Sequence, residues 1–155
     1  MKIDLSGKTA LVTGSTAGIG NAIAKGLAAA GVQLEAREYY QGGSSLLKGR
    51  ELTERILTRA PDLDFLYFSN DMIGAGGLLH CLDKGYDIPG RIGLAGFNGV
   101  DLLDGLPVRL ATTDARRVDI GRRAARLVAG KDIIPEDRIV ALTPTFLPGD
   151  TIRHA

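Results

Sequence analysis

Hydrophobic and polar positions along the chain fall into two alternating patterns, one typical of strands and one typical of helices. Six segments are predicted to be strands: 8–13, 32–37, 64–69, 91–96, 109–112 and 138–142. The segments 8–13, 64–69 and 91–96 have uninterrupted apolar centres, which indicates strands buried on both faces. Residues 32–37 alternate between apolar and polar, so this strand should have one wet face and lie at a sheet edge.

Apolar residues spaced three and four apart lie between these strands and predict helices. The predicted helices are 17–30, 46–60, 72–84 and one that is capped by Thr113 or Asp114 and ends at 128. Gly31 follows the first, and Asn70 and Asp71 precede the third, as expected for residues at helix ends. Strands and helices that alternate along a whole chain predict a mostly parallel sheet covered on both faces. We therefore expect one three-layer α/β/α domain over residues 1–155.

Composition limits the classes of function. The formal net charge is only +1, which argues against a nucleic-acid partner. There is no apolar run long enough for a membrane span and no apolar signal core, so we expect no membrane partner. The single cysteine, Cys81, fits a reducing compartment, which predicts a cytoplasmic protein. His80 and Cys81 are neighbours on a predicted helix and point in different directions, so we predict no metal site.

A glycine-rich segment joins the first predicted strand to the first predicted helix. Residues 13–20 read T-G-S-T-A-G-I-G, an order that can cradle a phosphate at a helix start. The predicted cofactor-binding residues are Gly14, Ser15, Thr16, Gly18, Ile19 and Gly20. We expect no required cofactor, and NAD(P) or a phosphate or sulfate ion are the candidate occupants of this loop. The alternative is that the glycines only make the turn and allow tight helix packing.

Residues 3–32 resemble the opening of a short-chain dehydrogenase/reductase, through L-S-G-K-T-A-L-V-T-G and the following G-I-G. The resemblance implies a Rossmann-type first β-α unit. Catalysis in that family needs a Tyr-x-x-x-Lys pair. None of the tyrosines in this sequence has a lysine four residues later; they are Tyr39, Tyr40, Tyr67 and Tyr86. We therefore expect no enzymatic activity.

Residues 33–155 resemble the LacI/GalR family of sugar-responsive repressors, and within it the gluconate type. The resemblance rests on S-N-D-M-I-G-A-G at 69–76, G-Y-D-I-P at 85–89 and I-G-L-A-G-F-N at 92–98. It implies the C-terminal lobe of the effector-binding domain, which is half of a periplasmic-binding-protein-like I fold. The implied strand order is flavodoxin-like, 2-1-3-4-5, with the 32–37 strand at the edge.

Ligands of such sheets bind beyond the carboxyl ends of the strands, where the strand order reverses. The predicted ligand-binding residues are Asn70, Asp71 and Asn98. Asn70 matches a position that contacts effector sugars in the repressor family, Asp71 is expected to cap its helix, and Asn98 replaces the family's usual aspartate. With one lobe, a sugar would be only half enclosed, so we expect no useful sugar affinity.

The two resemblances meet at Gly31 to Gln33, where a helix gives way to a strand. A junction at equivalent elements favours an engineered chimera without native activity, in which 1–32 is dehydrogenase-like and 33–155 repressor-like. One alternative is a vestigial NAD(P)- or phosphate-binding module at the glycine-rich loop, and another is a divergent natural α/β protein. Three leucines of the third helix either leave an apolar patch that supports a weak homodimer or face the sheet of a monomer. They are Leu78, Leu79 and Leu82.

Overall fold

The computed structural model describes residues 7, 9–12, 18–36, 40–133, 135–136 and 139–153. Its elements in chain order are β1 (Thr9–Val12), α1 (Gly18–Ala29), β2 (Gln33–Ala36), α2 (Leu46–Arg59), β3 (Phe65–Tyr67), α3 (Asp71–Asp83), β4 (Gly93–Ala95), β5 (Thr112–Asp114), α4 (Arg117–Val128) and β6 (Thr145–Leu147). A 3-10 turn, Asp101–Gly105, lies between β4 and β5. None of the described helices is long and apolar enough to cross a membrane.

Four strands form a parallel sheet in the order β2-β1-β3-β4. In its centre Ala10 of β1 lies opposite Phe65 of β3, which in turn lies opposite Gly93 of β4. A parallel bridge between Ala95 and Ala111 continues the sheet from β4 towards β5. The predicted α/β class and flavodoxin-like order are therefore confirmed, and β2 lies at the predicted edge.

The predicted boundaries are wrong near the end of the chain. Residues 139–142 carry an apolar run but form no strand; instead β6 pairs antiparallel with β5, with Phe146 opposite Thr113. Prolines flank β6 on both sides, and an edge strand tolerates proline at its ends because it needs few ladder hydrogen bonds there. Helix α4 begins at Arg117 with Arg116 at its N-cap, rather than with Thr113 or Asp114 at that position, because β5 continues through Asp114.

Side chains on the two faces of the sheet meet different partners because direction alternates along a strand. On one face, Leu66 of β3 and Leu94 of β4 join a core with buried residues of α2 and α3. On the other face, Tyr67, Ala95 and Ala111 form a smaller cluster against which Leu27 of α1 packs. Tyr67 is thus separated from the main core by the sheet itself.

Helix α3 is apolar nearly all round and lies in the core. Leu78 is fully buried, and Leu79 and Leu82 are half-buried. Leu78 therefore belongs to the core, whereas Leu79 and Leu82 each keep part of their surface exposed. The choice between a monomer and a weak homodimer stays a prediction.

Helix α4 differs from α3 because none of its residues is buried. Its apolar residues Ile120 and Val128 are 50% and 91% exposed. Ion pairs lie on its polar side: Arg122 Nη1 is 2.8 Å from Asp119 Oδ1, and Arg126 Nη2 is 2.8 Å from Asp132 Oδ1. The apolar side of this amphipathic helix is not buried by any described part of the chain.

Candidate ligand-binding site

The loop after β3 places Asn70 at the carboxyl edge of the sheet. Asn70 is the N-cap of α3: its Oδ1 accepts a hydrogen bond from the Ile73 amide at 3.1 Å. Its Nδ2 donates to the Tyr40 hydroxyl at 2.8 Å and to the Ser44 hydroxyl at 2.9 Å. The two hydroxyls are themselves 3.0 Å apart and share a hydrogen bond. One side chain therefore starts the helix and also anchors the loop between β2 and α2.

We call Tyr40, Ser44 and Asn70 the polar triad. The triad offers one amide and two hydroxyls, with Ser44 exposed and the other two half-buried. Each hydroxyl can donate one hydrogen bond and accept two, so the triad keeps capacity for a ligand. It has no formal charge, which suits a ligand rich in hydroxyl groups. Tyr40 and Ser44 were not predicted from the sequence. Their place in a loop that follows an edge strand was the one feature that could have indicated a role at the site.

Asp71 follows Asn70 but faces the protein interior, where it is fully buried. Its Oδ1 accepts a hydrogen bond from the Thr112 hydroxyl at 2.5 Å, and its Oδ2 accepts one from the Val100 amide at 3.1 Å. The expectation that Asp71 caps its helix is wrong, because Asn70 fills that position and the Asp71 carboxylate turns towards β5. Both of its oxygens have protein partners, so Asp71 ties α3 to β5 and to the loop after β4.

Asn98 lies in that loop after β4, half-buried and one residue after Phe97. Its backbone φ of 125° is a conformation that residues with a side chain rarely adopt. The backbone is held on both sides: the Asn98 amide donates to the Thr113 carbonyl at 3.0 Å, and its carbonyl accepts from the Ala115 amide at 3.2 Å. The structure thus fixes Asn98 at the same edge of the sheet as Asn70.

Tyr67 is the last residue of β3, three positions before Asn70, and is only 8% exposed. Its hydroxyl has no hydrogen-bond partner among the described residues. Burial, together with the nearby Asp71 carboxylate, raises the pKa of this hydroxyl to about 12. The group is therefore neutral and protonated at physiological pH. From the sequence, Tyr67 was noted only as a tyrosine without the lysine that dehydrogenase catalysis needs, and no role at this site was predicted for it.

The residues predicted to bind a cofactor are only partly described. Gly14, Ser15 and Thr16 lie outside the described residues, whereas Gly18, Ile19 and Gly20 form the first turn of α1. Binding of NAD(P), phosphate or sulfate at this loop stays a prediction. Within the described ranges, no three His, Cys, Asp or Glu side chains are grouped to hold a metal ion.

The sequence matches one protein family from the first strand to the tail. Residues 10–152 match the periplasmic binding protein-like domain. The chain belongs to this family. The match begins within β1 and includes the helix-to-strand junction at Gly31 to Gln33.

Solved structures support the same assignment. A LacI-family transcriptional regulator from Silicibacter pomeroyi is 47% identical, with a TM-score of 0.77, over 95% of this chain and 47% of that chain. A LacI-family regulator from Arthrobacter sp. FB24, solved in complex with lactose, is 20% identical with a TM-score of 0.76 and covers 94% of this chain and 57% of that chain. The second likeness shows the fold alone.

Two curated relatives are also named as transcriptional regulators. The HTH-type transcriptional regulator IdnR of Escherichia coli is 36% identical over 88 residues, which are 57% of this chain and 26% of the relative. The HTH-type transcriptional regulator GntR of Pseudomonas aeruginosa is 37% identical over 94 residues, 58% of this chain and 27% of the relative. The chain thus spans about a quarter of these relatives and about half of the solved structures.

These findings confirm the LacI-type resemblance and correct the hypothesis of an inert, engineered chimera. That hypothesis is wrong because one family and one 47%-identical structure extend across the supposed boundary between 1–32 and 33–155. The comparisons give no support for a dehydrogenase segment. A strand, a tight turn and a helix form the first unit of many doubly wound sheets, so this pattern alone does not separate the two families.

The exclusion of a nucleic-acid partner is also contradicted. The curated relatives are named as helix-turn-helix regulators, a class that docks a helix in the major groove of DNA. The net charge of +1 belongs to these 155 residues alone, and it says nothing of a DNA-binding element carried elsewhere in a longer relative.

Proposed function

We propose that this chain is the ligand-sensing part of a transcriptional regulator and is not an enzyme. A small polyhydroxylated molecule would bind at the carboxyl edge of the sheet, between the loops that carry Asn70 and Asn98. Binding to this chain alone would be weak, because one lobe encloses only half of a sugar. The polar triad is the observation that carries the proposal, because it brings an amide and two hydroxyls from separate loops to one place. The names of the relatives support the regulatory class.

The chemistry of the edge favours a sugar or sugar acid. The polar triad supplies neutral donors and acceptors, and half-buried Phe97 supplies an apolar surface beside Asn98. A pocket that combines apolar surface with a few fixed polar groups is the usual form of a small-molecule site. Lactose is bound by one regulator of the same fold. The gluconate-type resemblance of residues 33–155 makes gluconate the first acidic candidate, and glucose is its uncharged counterpart.

In this proposal, Asp71 and Thr112 position the site, because their side chains bond to each other and not to the edge. A regulator of this kind acts on DNA through elements that its relatives carry outside the matched region, and it works in the cytoplasm. A helix as short as α4 is marginal without tertiary packing. Its exposed Ile120 and Val128 therefore fit a longer regulator in which another part of the protein covers them.

Titration of the isotope-labelled protein with gluconate and with glucose, followed by amide NMR, tests the proposal. We expect saturable shifts in the side-chain amide of Asn70 and in the loop around Asn98. Asn70→Asp keeps an oxygen at the N-cap but removes the amide donor, and both residues cap helices about equally well. The hydroxyls of Tyr40 and Ser44 can donate to the new carboxylate in place of the two bonds from the amide, so this variant should keep its thermal stability. It should lose binding of glucose by about tenfold, as expected when a site loses a polar contact.

Two results would contradict the proposal. One is the absence of saturable shifts with both compounds at millimolar concentrations. The other is unchanged glucose affinity in Asn70→Asp. The matched control is Thr58→Ala, which changes an exposed hydroxyl in the last turns of α2, bonded only locally to the Glu54 carbonyl, and should bind like the unmodified chain.

A further inference from the structure

The Tyr67 hydroxyl is buried and has no hydrogen-bond partner among the described residues. Asp71 is its charged neighbour, yet both Asp71 oxygens accept hydrogen bonds from Thr112 and Val100. A buried polar group almost always has a partner, since leaving it unpaired costs folding free energy. Such a group in a folded protein therefore calls for an explanation.

The surroundings of Tyr67 point towards the ligand edge. Its ring belongs to the small cluster with Ala95 and Ala111, against which Phe97 packs. Phe97 precedes Asn98, and its carbonyl accepts a hydrogen bond from the Asp71 amide at 2.9 Å. Tyr67 thus ends the strand that leads to Asn70 and contacts the cluster that supports the loop of Asn98. It connects the two halves of the proposed site.

We propose that Tyr67 is a specificity-determining residue whose hydroxyl pairs with an oxygen of the bound ligand and is left unpaired in the free protein. The inference rests on the proposed function, because it needs a ligand at this edge. A site with a buried polar group rejects analogues that cannot pair with it much more strongly than an apolar pocket rejects a small change in size. The hydroxyl is protonated at neutral pH, as tyrosine hydroxyls are, so it can donate to a hydroxyl or carboxylate oxygen.

Tyr67→Phe tests this, because the substitution removes only the hydroxyl. If the hydroxyl awaits a ligand, the free variant should melt at the same temperature as the unmodified chain or higher, since an unpaired buried group has been removed. Its affinity for gluconate or glucose, measured by the same NMR titration, should fall about tenfold or more. A tyrosine that is satisfied within the protein predicts the opposite for stability, namely a lower melting temperature.

Tyr86→Phe is the matched control. Tyr86 is half-buried against the main core, in the segment before β4 and so towards the opposite end of the strands, and its variant should leave affinity unchanged. A lower melting temperature of free Tyr67→Phe, or normal affinity in that variant, overturns the assignment of Tyr67 while the proposed function stands. Absence of binding by the unmodified chain contradicts the proposed function itself and, with it, the ligand contact.

Discussion

Helices α2 and α3 touch through two glycines, and adding one methyl group there tests how closely they are packed. A Cβ built on Gly49 would lie 2.9 Å from the Cα of Gly76 and 3.0 Å from the carbonyl carbon of Ile73, with the Ile73 carbonyl oxygen nearer still. Non-bonded carbon atoms prefer separations of about 3.5–4.0 Å. Because every one of these neighbours is backbone, no side chain can rotate away, and the helices must move apart.

The expected cost of Gly49→Ala follows from two opposing effects. Overpacking a core typically costs about 1–3 kcal/mol, and a backbone clash should lie near the upper end. Alanine in place of glycine within a helix returns about 1 kcal/mol. The free energy of unfolding should therefore fall by about 2 kcal/mol. Separation would also loosen the core around Leu52 of α2 and Ile73 of α3, both fully buried in the same core cluster.

Urea denaturation followed by circular dichroism measures this change, and Gly121→Ala provides the control. Gly121 is also inside a helix, but nothing lies within 4 Å of a Cβ built there. That variant should keep or raise the stability of α4 by about 0.5–1 kcal/mol. The same substitution thus has opposite expected signs at two sites. If Gly49→Ala were as stable as the unmodified chain, the close contact between the helices would be refuted.

Three further predictions concern buried polar groups. Thr112→Val should lower the free energy of unfolding by about 1.5–3 kcal/mol in urea titrations, because the buried Asp71 carboxylate loses a charge-assisted hydrogen bond; an unchanged midpoint would contradict this. Buried Cys81, whose pKa burial raises to about 12, should not react with a thiol reagent at neutral pH until urea unfolds the chain; rapid native labelling would refute its burial. Burial favours the neutral forms of Tyr67 and Cys81, so the free energy of unfolding should fall as pH rises from about 9 towards 12. The fall should be smaller in Cys81→Ala, and an equal fall in that variant would exclude Cys81 as a cause.

The strands of the sheet could be located from the sequence because burial on both faces leaves a plain mark, whereas their order followed from the repressor resemblance. The runs at 64–69 and 91–96 contain β3 and β4, and the alternating run at 32–37 contains the edge strand β2. The last strand could not be found this way. In β6 all three residues are exposed, so neither burial nor alternation marks it, and it is defined only by pairing with β5.

The candidate site was predictable only in part. Asn70 and Asn98 could be named because they match positions of a known family. Tyr40 and Ser44 could not, because their role depends on distances to Asn70, which is 30 and 26 residues away in the chain. The same holds for the unpaired Tyr67 hydroxyl, since a sequence shows a hydroxyl group but not whether the fold provides it with a partner.

The first β-α unit led to the wrong prediction of a dehydrogenase segment, because its sequence pattern is required by the fold and not by one family. A sharp exit from a buried strand and close helix packing both need small residues, whichever ligand the protein binds. A set of residues that are distant in the sequence but depend on one another in the structure identifies a family more specifically. Asp71 bonds to Thr112, and a Cβ at Gly96 would clash with an oxygen of Asp71, so a buried carboxylate at this position demands both a hydroxyl and a glycine far along the chain. A doubly wound sheet as such makes no such demand. Interlocked residues of this kind therefore discriminate between families where a glycine-rich turn cannot.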